Sequence, residues 1–276
     1  MPAWICATCG VQHADTERPP AACPICEDER QYVGWDGQRW TTMPELADQH
    51  AVTIQAEEPN LVGIGVDPPV AIGQRALLVR TPKGNVLWDC VPLLDEPART
   101  QIRDLGGIDA VCLSHPHFYA ADVEFADEFD ARILIPRADQ HWIQRPSARI
   151  EFFDDAAEPV PGITVARIGG HFDGASVLHW PDGSNGRGAL LTGDTITVVP
   201  DREWVSFMWS YPNLIPLDEA TINTIVRRIE PFDFDRVYGG WWGRVVLEDG
   251  PAAIRRSAER YIGHLRGQRP DGRPTA

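Results

Sequence analysis

The sequence predicts an α/β protein that carries a small metal-binding ribbon at its N-terminus. Three observations lead there. Apolar runs of strand length alternate with amphipathic helical stretches between Leu61 and Leu265. Four of the six cysteines form two CxxC pairs near the start of the chain. Three histidines and an aspartate, His115, His117, His171 and Asp194, stand where apolar runs give way to turns.

The chain is long enough, at 276 residues, to bury one large core beside a small module. With 43% hydrophobic and 24% charged residues it reads as globular. A net charge of -15 argues against a nucleic-acid partner, whose phosphates are gripped by Lys and Arg. It has no membrane-length apolar run and no signal-peptide pattern, so the expectation is a cytoplasmic protein without a membrane partner.

The ribbon comes first. Cys6-Ala-Thr-Cys9 and Cys23-Pro-Ile-Cys26 are separated by 13 residues, and two such knuckles can gather four thiolates around one tetrahedral ion. Disulfides or free thiols are the alternative, and the first fits a cytosolic setting poorly. Trp4 to Val33 looks like the rubredoxin-type module of rubrerythrins and equally like a zinc ribbon, so zinc and iron both remain open. Asp15, Glu17, Glu27, Asp28 and Glu29 outweigh Arg18 and Arg30, which makes the module a poor nucleic-acid grip. The module is expected over 1–34 and a connector over 35–60. In the connector Trp35 and Trp40 are expected to dock the ribbon, and a short helix runs from Pro44 to His50. His13 and His50 read as ordinary polar positions.

Strands are expected at Leu61–Val66, Arg75–Arg80 and Asn85–Trp88, the last ending in Asp89, and then a helix over Glu96–Leu105. The run Ile108–Leu113 stops at His115-Pro-His117. A chain leaving a strand in extended form keeps residues i and i+2 on one side, so the two imidazoles can close on one ion. A helix over Ala121–Phe129, a strand over Arg132–Ile135 and a helix near Asp139–Gln144 follow. Strands Ile163–Ile168, Ser176–Trp180 and Ala189–Thr192 bring His171 and Asp194 to turns at what should be one sheet edge. Cys90 and Cys112 read as small buried hydrophobes. The aromatic stretch containing Trp204, Phe207, Met208, Trp209 and Tyr211 is either core or, with Phe118 and Tyr119, the wall of a pocket. A helix over Leu217–Ile229, a strand over Arg236–Tyr238, a Trp241-Trp242 loop and a helix over Pro251–Leu265 complete the domain. The polar, Gly- and Pro-containing tail, 266–276, is expected to be disordered.

Taken in order, HxH at His115/His117, GGHxxG around His171 and LxTGD ending at Asp194 resemble the metal-binding series of the metallo-β-lactamase fold superfamily over residues 60 to 265. The resemblance implies an αββα sandwich, expected over 61–265. It further implies that His115, His117 and His171 bind one ion and that Asp194 is a fourth ligand or a water-orienting base. Asp89 would support a histidine from behind, as the family's aspartate does, or else cap the following helix. The family's first motif is HxHxDH, and here Tyr119 and Ala120 replace its Asp and last His. Its final histidine falls near Gly239-Gly-Trp-Trp, where Trp241 or Trp242 stands. All three lost residues serve the family's second metal position. Asp122 and Glu124 could reach that position, although acidic residues also suit any helix start.

The expected function is therefore a mononuclear metal-dependent hydrolase of a small-molecule substrate, with zinc in the ribbon and in the histidine site and iron the alternative at either. Tyr119 could donate a hydrogen bond to a developing oxyanion. The alternatives are a non-heme iron oxidoreductase fed by a rubredoxin-like module and a non-catalytic metal-binding protein. The sequence identifies neither the substrate nor the oligomeric state.

Overall fold

A computed structural model of the chain describes residues 1–268. Its centre is a pair of sheets packed face to face. The first contains β4 (Ala51–Glu58), β5 (Leu61–Asp67), β6 (Ala76–Thr81), β7 (Gly84–Trp88), β8 (Ala110–Cys112), β9 (Arg132–Pro136) and β10 (Ile150–Phe153), in the order β10-β9-β8-β7-β6-β5-β4. The second contains β11 (Ala156–Ala157), β12 (Thr164–Arg167), β13 (Ser176–Trp180), β14 (Ala189–Leu191), β15 (Arg236–Tyr238) and β16 (Val245–Val246), in that order.

Leu61, Leu77 and Trp88 of the first sheet meet Val165, Leu178, Trp180 and Leu191 of the second in one buried cluster. Helices cover the outer faces. On the first sheet lie α3 (Glu96–Asp104) and α4 (Asp122–Phe129); on the second, α5 (Glu219–Ile229) and α6 (Gly250–Leu265). Each helix turns its apolar stripe inward, Ile222, Ile225 and Ile229 on α5 and Ala253 and Ile254 on α6. The arrangement is the αββα sandwich that the motif resemblance implies.

Two glycines of β5 shape the first sheet's edge. Gly63 and Gly65 point to one face, where the indole of Trp242 lies across them. A Cβ on Gly63 would stand 2.5 Å from Trp242 Cζ3, and one on Gly65 2.6 Å from Nε1. The Gly-Ile-Gly spacing is thus a groove cut for one tryptophan.

The N-terminal module is a three-stranded sheet, β2-β1-β3, of β1 (Ala3–Cys6), β2 (Gln12–Asp15) and β3 (Trp40–Thr42), with a short helix α1 (Pro24–Glu27) carrying the second knuckle. Its third strand lies inside the stretch expected as a connector, and that reading is corrected at both ends. Trp40–Thr42 pairs with β1. Ala51–Glu58 joins the sandwich by pairing along β5. The signal was the alternation of Val52, Ile54 and Ala56, which marks a half-covered edge strand. Only α2 (Met43–Ala47), closed by a Thr42/Glu45 capping box, is a true link.

Trp35 is fully exposed and docks nothing, whereas Trp40 packs edge-on to His13 at 4.6 Å. Docking falls instead to backbone and ion-pair contacts. Gln12 N–H donates to the Ala120 carbonyl at 2.9 Å, and Ala14 N–H to that of Gln144 at 3.1 Å. Arg145 pairs with Glu124 at 2.7 Å and reaches Asp15 at 3.7 Å. No helix among the described residues is long and apolar enough to cross a membrane. Of the tail expected to be disordered, residues 269–276 lie outside the described residues.

Candidate metal centre

The parallel pairs β7/β8 and β14/β15 end at the same rim of the sandwich, and the loops leaving them carry the titratable residues. His115 and His117 follow β8, His171 sits in the glycine turn between β12 and β13, and Asp194 follows β14. One donor atom from each of the four lies within 4.8 Å of all the others. His117 Nδ1 is 3.4 Å from His171 Nε2, and Asp194 Oδ2 is 3.6 Å from His115 Nε2 and 4.0 Å from His171 Nε2. Donors about 2.0–2.2 Å from one tetrahedral ion are themselves about 3.4 Å apart, so the set fits a single metal ion. His115 Nε2 is buried with no hydrogen-bond partner among the described residues. A metal supplies what that atom lacks.

Second partners fix the rings. His171 Nδ1–H donates to the Met208 carbonyl at 3.2 Å, which leaves the Nε2 lone pair for the cluster. The Ser114 hydroxyl lies 2.8 Å from His115 Nδ1, and Asp89 Oδ1 accepts the Ser114 N–H at 2.7 Å. Asp89 therefore touches no imidazole directly. It acts through Ser114, and it does not cap α3, whose cap is Asp95 accepting from Ala98 N–H at 2.9 Å. Gly193 lets this happen: a Cβ there would stand 2.5 Å from Ser114 Oγ, and its φ of +54° is one that glycine tolerates.

Burial sets the charge states. It drives the proton affinities of His115 and His117 well below the ordinary histidine value, helped by the neighbouring His171 and by Arg30. His171 falls to about 4 for the same leading reason. Three neutral imidazoles are the ligand form. Without a cation burial raises Asp194 to about 7, which the Thr197 hydroxyl, 3.5 Å from Oδ1, opposes.

The positions that would serve a second ion are closed by the ribbon. Ala120 gives its carbonyl to Gln12, and Tyr119 packs in the cluster that also holds Cys6, Cys9, Cys23 and Cys26. The Tyr119 hydroxyl has no partner among the described residues, and its ring is not among those stacked about the histidines. Its placement lends no support to an oxyanion-donor role. Asp122 is buried and bonded to Val123 N–H, while Glu124 is engaged by Arg145, so neither carboxylate enters the cluster. Trp241, not Trp242, faces the site: it packs on Phe118 at 5.7 Å, and Phe118 on His115 at 4.4 Å.

The aromatic stretch divides. Tyr211 lies 5.9 Å from His171 and donates its hydroxyl to the Asp194 carbonyl, and Trp209 covers Arg30. Phe207 is core, and Trp204 stacks under Arg260 away from the site.

The four ribbon cysteines are buried and unbridged. Cys6 Sγ is 3.5 Å from Cys26 Sγ, and Cys9 Sγ 3.8 Å from Cys23 Sγ. Bonds of about 2.3 Å to a tetrahedral ion place sulfurs about 3.8 Å apart, so the cluster fits a zinc ribbon. Gln38 Nε2 donates to Cys6 Sγ at 3.1 Å.

Sequence reasoning missed Arg30. Its guanidinium forks onto Asp28 at 2.6 and 2.9 Å, stacks over Phe172 at 3.9 Å and Trp209 at 4.5 Å, and reaches the His171 carbonyl at 3.4 Å. The ribbon thereby roofs the histidine site. A single arginine among acids carries no sequence signal of such a role.

Comparison with known proteins agrees with this geometry. The family model of the Metallo-beta-lactamase superfamily matches residues 71–241. The uncharacterized protein YmaE of Bacillus subtilis (strain 168) is 47% identical over 271 residues, covering 97% of this chain and 98% of that protein. Among solved structures, VMB-1 (14% identity) and the DIM-1 metallo-beta-lactamase (13%) each align over 78% of this chain and 98% of their own, both with a TM-score of 0.58. These last two are likenesses of fold alone. On its motifs, its sandwich and its family match, the chain belongs to the metallo-beta-lactamase superfamily.

Proposed function

We propose that the chain is a mononuclear metal-dependent hydrolase of small, partly apolar molecules, with zinc in the histidine site and in the ribbon. One observation carries the reading. Three buried imidazoles and one carboxylate converge on a single point, while at the places of the missing ligands Ala120 bonds to the ribbon and Tyr119 is buried in the core cluster that reaches it. An ion held by His115, His117 and His171 would act as a Lewis acid and bring a bound water's pKa near 7. Asp194, whose Oδ1 meets the Thr197 hydroxyl at 3.5 Å and whose backbone carbonyl accepts from the Tyr211 hydroxyl, would orient that water and accept its proton. Ser114, backed by Asp89, holds His115 in register. The strongly acidic chain and its six unbridged cysteines support a cytoplasmic protein acting on a small molecule and not on nucleic acid.

A second reading, a non-heme iron oxidoreductase, draws on the ribbon's position: Arg30, four residues after Cys26, reaches the His171 carbonyl at 3.4 Å. Metal content, element by element, with a visible spectrum, separates the two. Two zincs per chain in a colourless protein, falling to one in His117→Ala together with loss of ester or thioester hydrolysis, is the expected result. Iron in the ribbon, seen as a red colour that bleaches on reduction, would refute the hydrolase reading in favour of redox chemistry.

A further inference from the structure

A cleft of about 590 Å³ opens beside the metal centre, between the loop at Gly73, the segment after Asp194 and the loop after β15. Two of its walls are one contact from a donor residue and a third is two contacts away. Thr197 lies 3.5 Å from Asp194 Oδ1, Tyr211 stands 5.9 Å from the His171 ring, and Trp241 rests on the Phe118 that packs against His115. Asp194, at 5% exposure, is the least buried of the four donors, and the cleft residues Thr197 and Tyr211 both bond to it, the first at its carboxylate and the second at its carbonyl.

The lining is unusual for this chain. The protein has a net charge of -15, yet among the described residues no acidic side chain lines the cleft, and the one charged group there is Arg244. Arg244 is half-buried, and no ion pair or side-chain hydrogen bond engages its guanidinium among the described residues. Much of the remaining wall is apolar, with Val198, Val199, Pro200 and the indoles of Trp241 and Trp242. Trp242 is fixed across Gly63 and Gly65, and the Trp241 indole N–H donates to the Ile72 carbonyl at 3.0 Å. The loop that presents Arg244 is thus anchored on both sides before any ligand arrives. An unpaired guanidinium on an anchored loop beside aromatic walls matches a planar carboxylate on an apolar body.

Resting on the hydrolase reading above, we infer that this cleft is the substrate subsite. It takes small organic acids of apolar or aromatic body, whose carboxylate is held by Arg244 while the hydrolysable end reaches Asp194. Arg244 is then a specificity-determining residue and takes no part in the chemistry.

The test uses the full metal-loaded chain and the tryptophan fluorescence of the cleft. The probes are 4-phenylbutyrate and its neutral amide, equal in shape and different in charge. The acid should bind about tenfold more tightly than the amide, the worth of one charge-assisted hydrogen bond near water. In Arg244→Gln that preference should vanish, and Arg244→Lys should recover part of it. The side chain bonds to nothing among the described residues, and an unchanged far-UV circular dichroism spectrum would verify that the variants remain folded. His117→Ala repeats the measurement on protein whose histidine site is broken. A preference that survives there but not in Arg244→Gln belongs to the arginine and not to a metal-bound carboxylate. Equal binding of acid and amide, no binding of either, or a preference that persists in Arg244→Gln would each overturn the inference. If the preference behaves as expected and no ester or thioester is hydrolysed, the cleft stands and the hydrolase reading falls.

Discussion

Replacing Arg30 by alanine should loosen the ribbon from the roof of the metal centre. Burial alone would raise the Asp28 carboxyl, but the paired Arg30 guanidinium outweighs it and holds the group below its usual range. Arg30 itself is 7% exposed, and its head is wedged over Phe172 and Trp209. Breaking a fully buried pair costs about 3–5 kcal/mol. Asp28 lies in the ribbon too, so in the parent the pair survives opening; with 20% of the Asp28 side chain exposed, leaving that carboxylate unpaired under the sandwich costs the docked state about 2 kcal/mol more than the open one. The two closer of its three cation–π contacts, to Phe172 and Trp209, add about 0.5–1 kcal/mol each. The sum is about 3 kcal/mol, or roughly a hundredfold in the opening equilibrium of the ribbon. Hydrogen exchange is the assay, because opening of one module is sub-global. Amides of the second knuckle and of the Met208–Asn213 stretch should exchange roughly a hundredfold faster, while those of β6, β7 and β8 stay protected. Arg30→Lys should rescue less than half, since an ammonium lacks the planar fork and its stacking. A change below about threefold at the ribbon, or equal deprotection throughout the sandwich, would refute the idea that Arg30 latches the two parts together.

Two further outcomes follow from the same contacts. Gly65→Ala would place a methyl group 2.6 Å from Trp242 Nε1, and chemical denaturation should show a loss of about 2–3 kcal/mol. Burial raises the Asp122 carboxyl to about 7, against an unfolded value near 4. The stability this group contributes is therefore fully present below about pH 4 and is lost as pH rises through 7. Asp122→Asn should remove that loss, leaving the variant more stable than the parent at pH 8 by on the order of 2 kcal/mol and close to it at pH 4, read from urea midpoints.

Much of the metal chemistry was legible because it is local. The two knuckles are each four residues long, and His115 and His117 need only an extended chain to face the same way. His171 and Asp194 announce themselves through glycine turns at the ends of apolar runs, since a sheet edge is where such a chain must turn. The strands and helices of the sandwich follow from periods of two and three to four. The resemblance of the ordered motifs supplied the αββα packing, which those periods alone do not.

What the tertiary structure decided are contacts between residues far apart in sequence. Asp89 could cap a helix or support a histidine until the fold set Ser114 between it and His115. Trp241 and Trp242 are adjacent and chemically alike. Only the glycine groove of β5 shows which lies on the sheet and which turns to the site. Tyr119 joins the buried cluster that runs from the outer face of the first sheet to the ribbon cysteines because of where the ribbon docks, and Arg30 roofs the centre across a separation of 141 residues from His171. A sequence lists its residues one after another, whereas burial, charge state and hydrogen-bond partner are properties of a place, and the place exists only once the two sheets and the ribbon have closed around it.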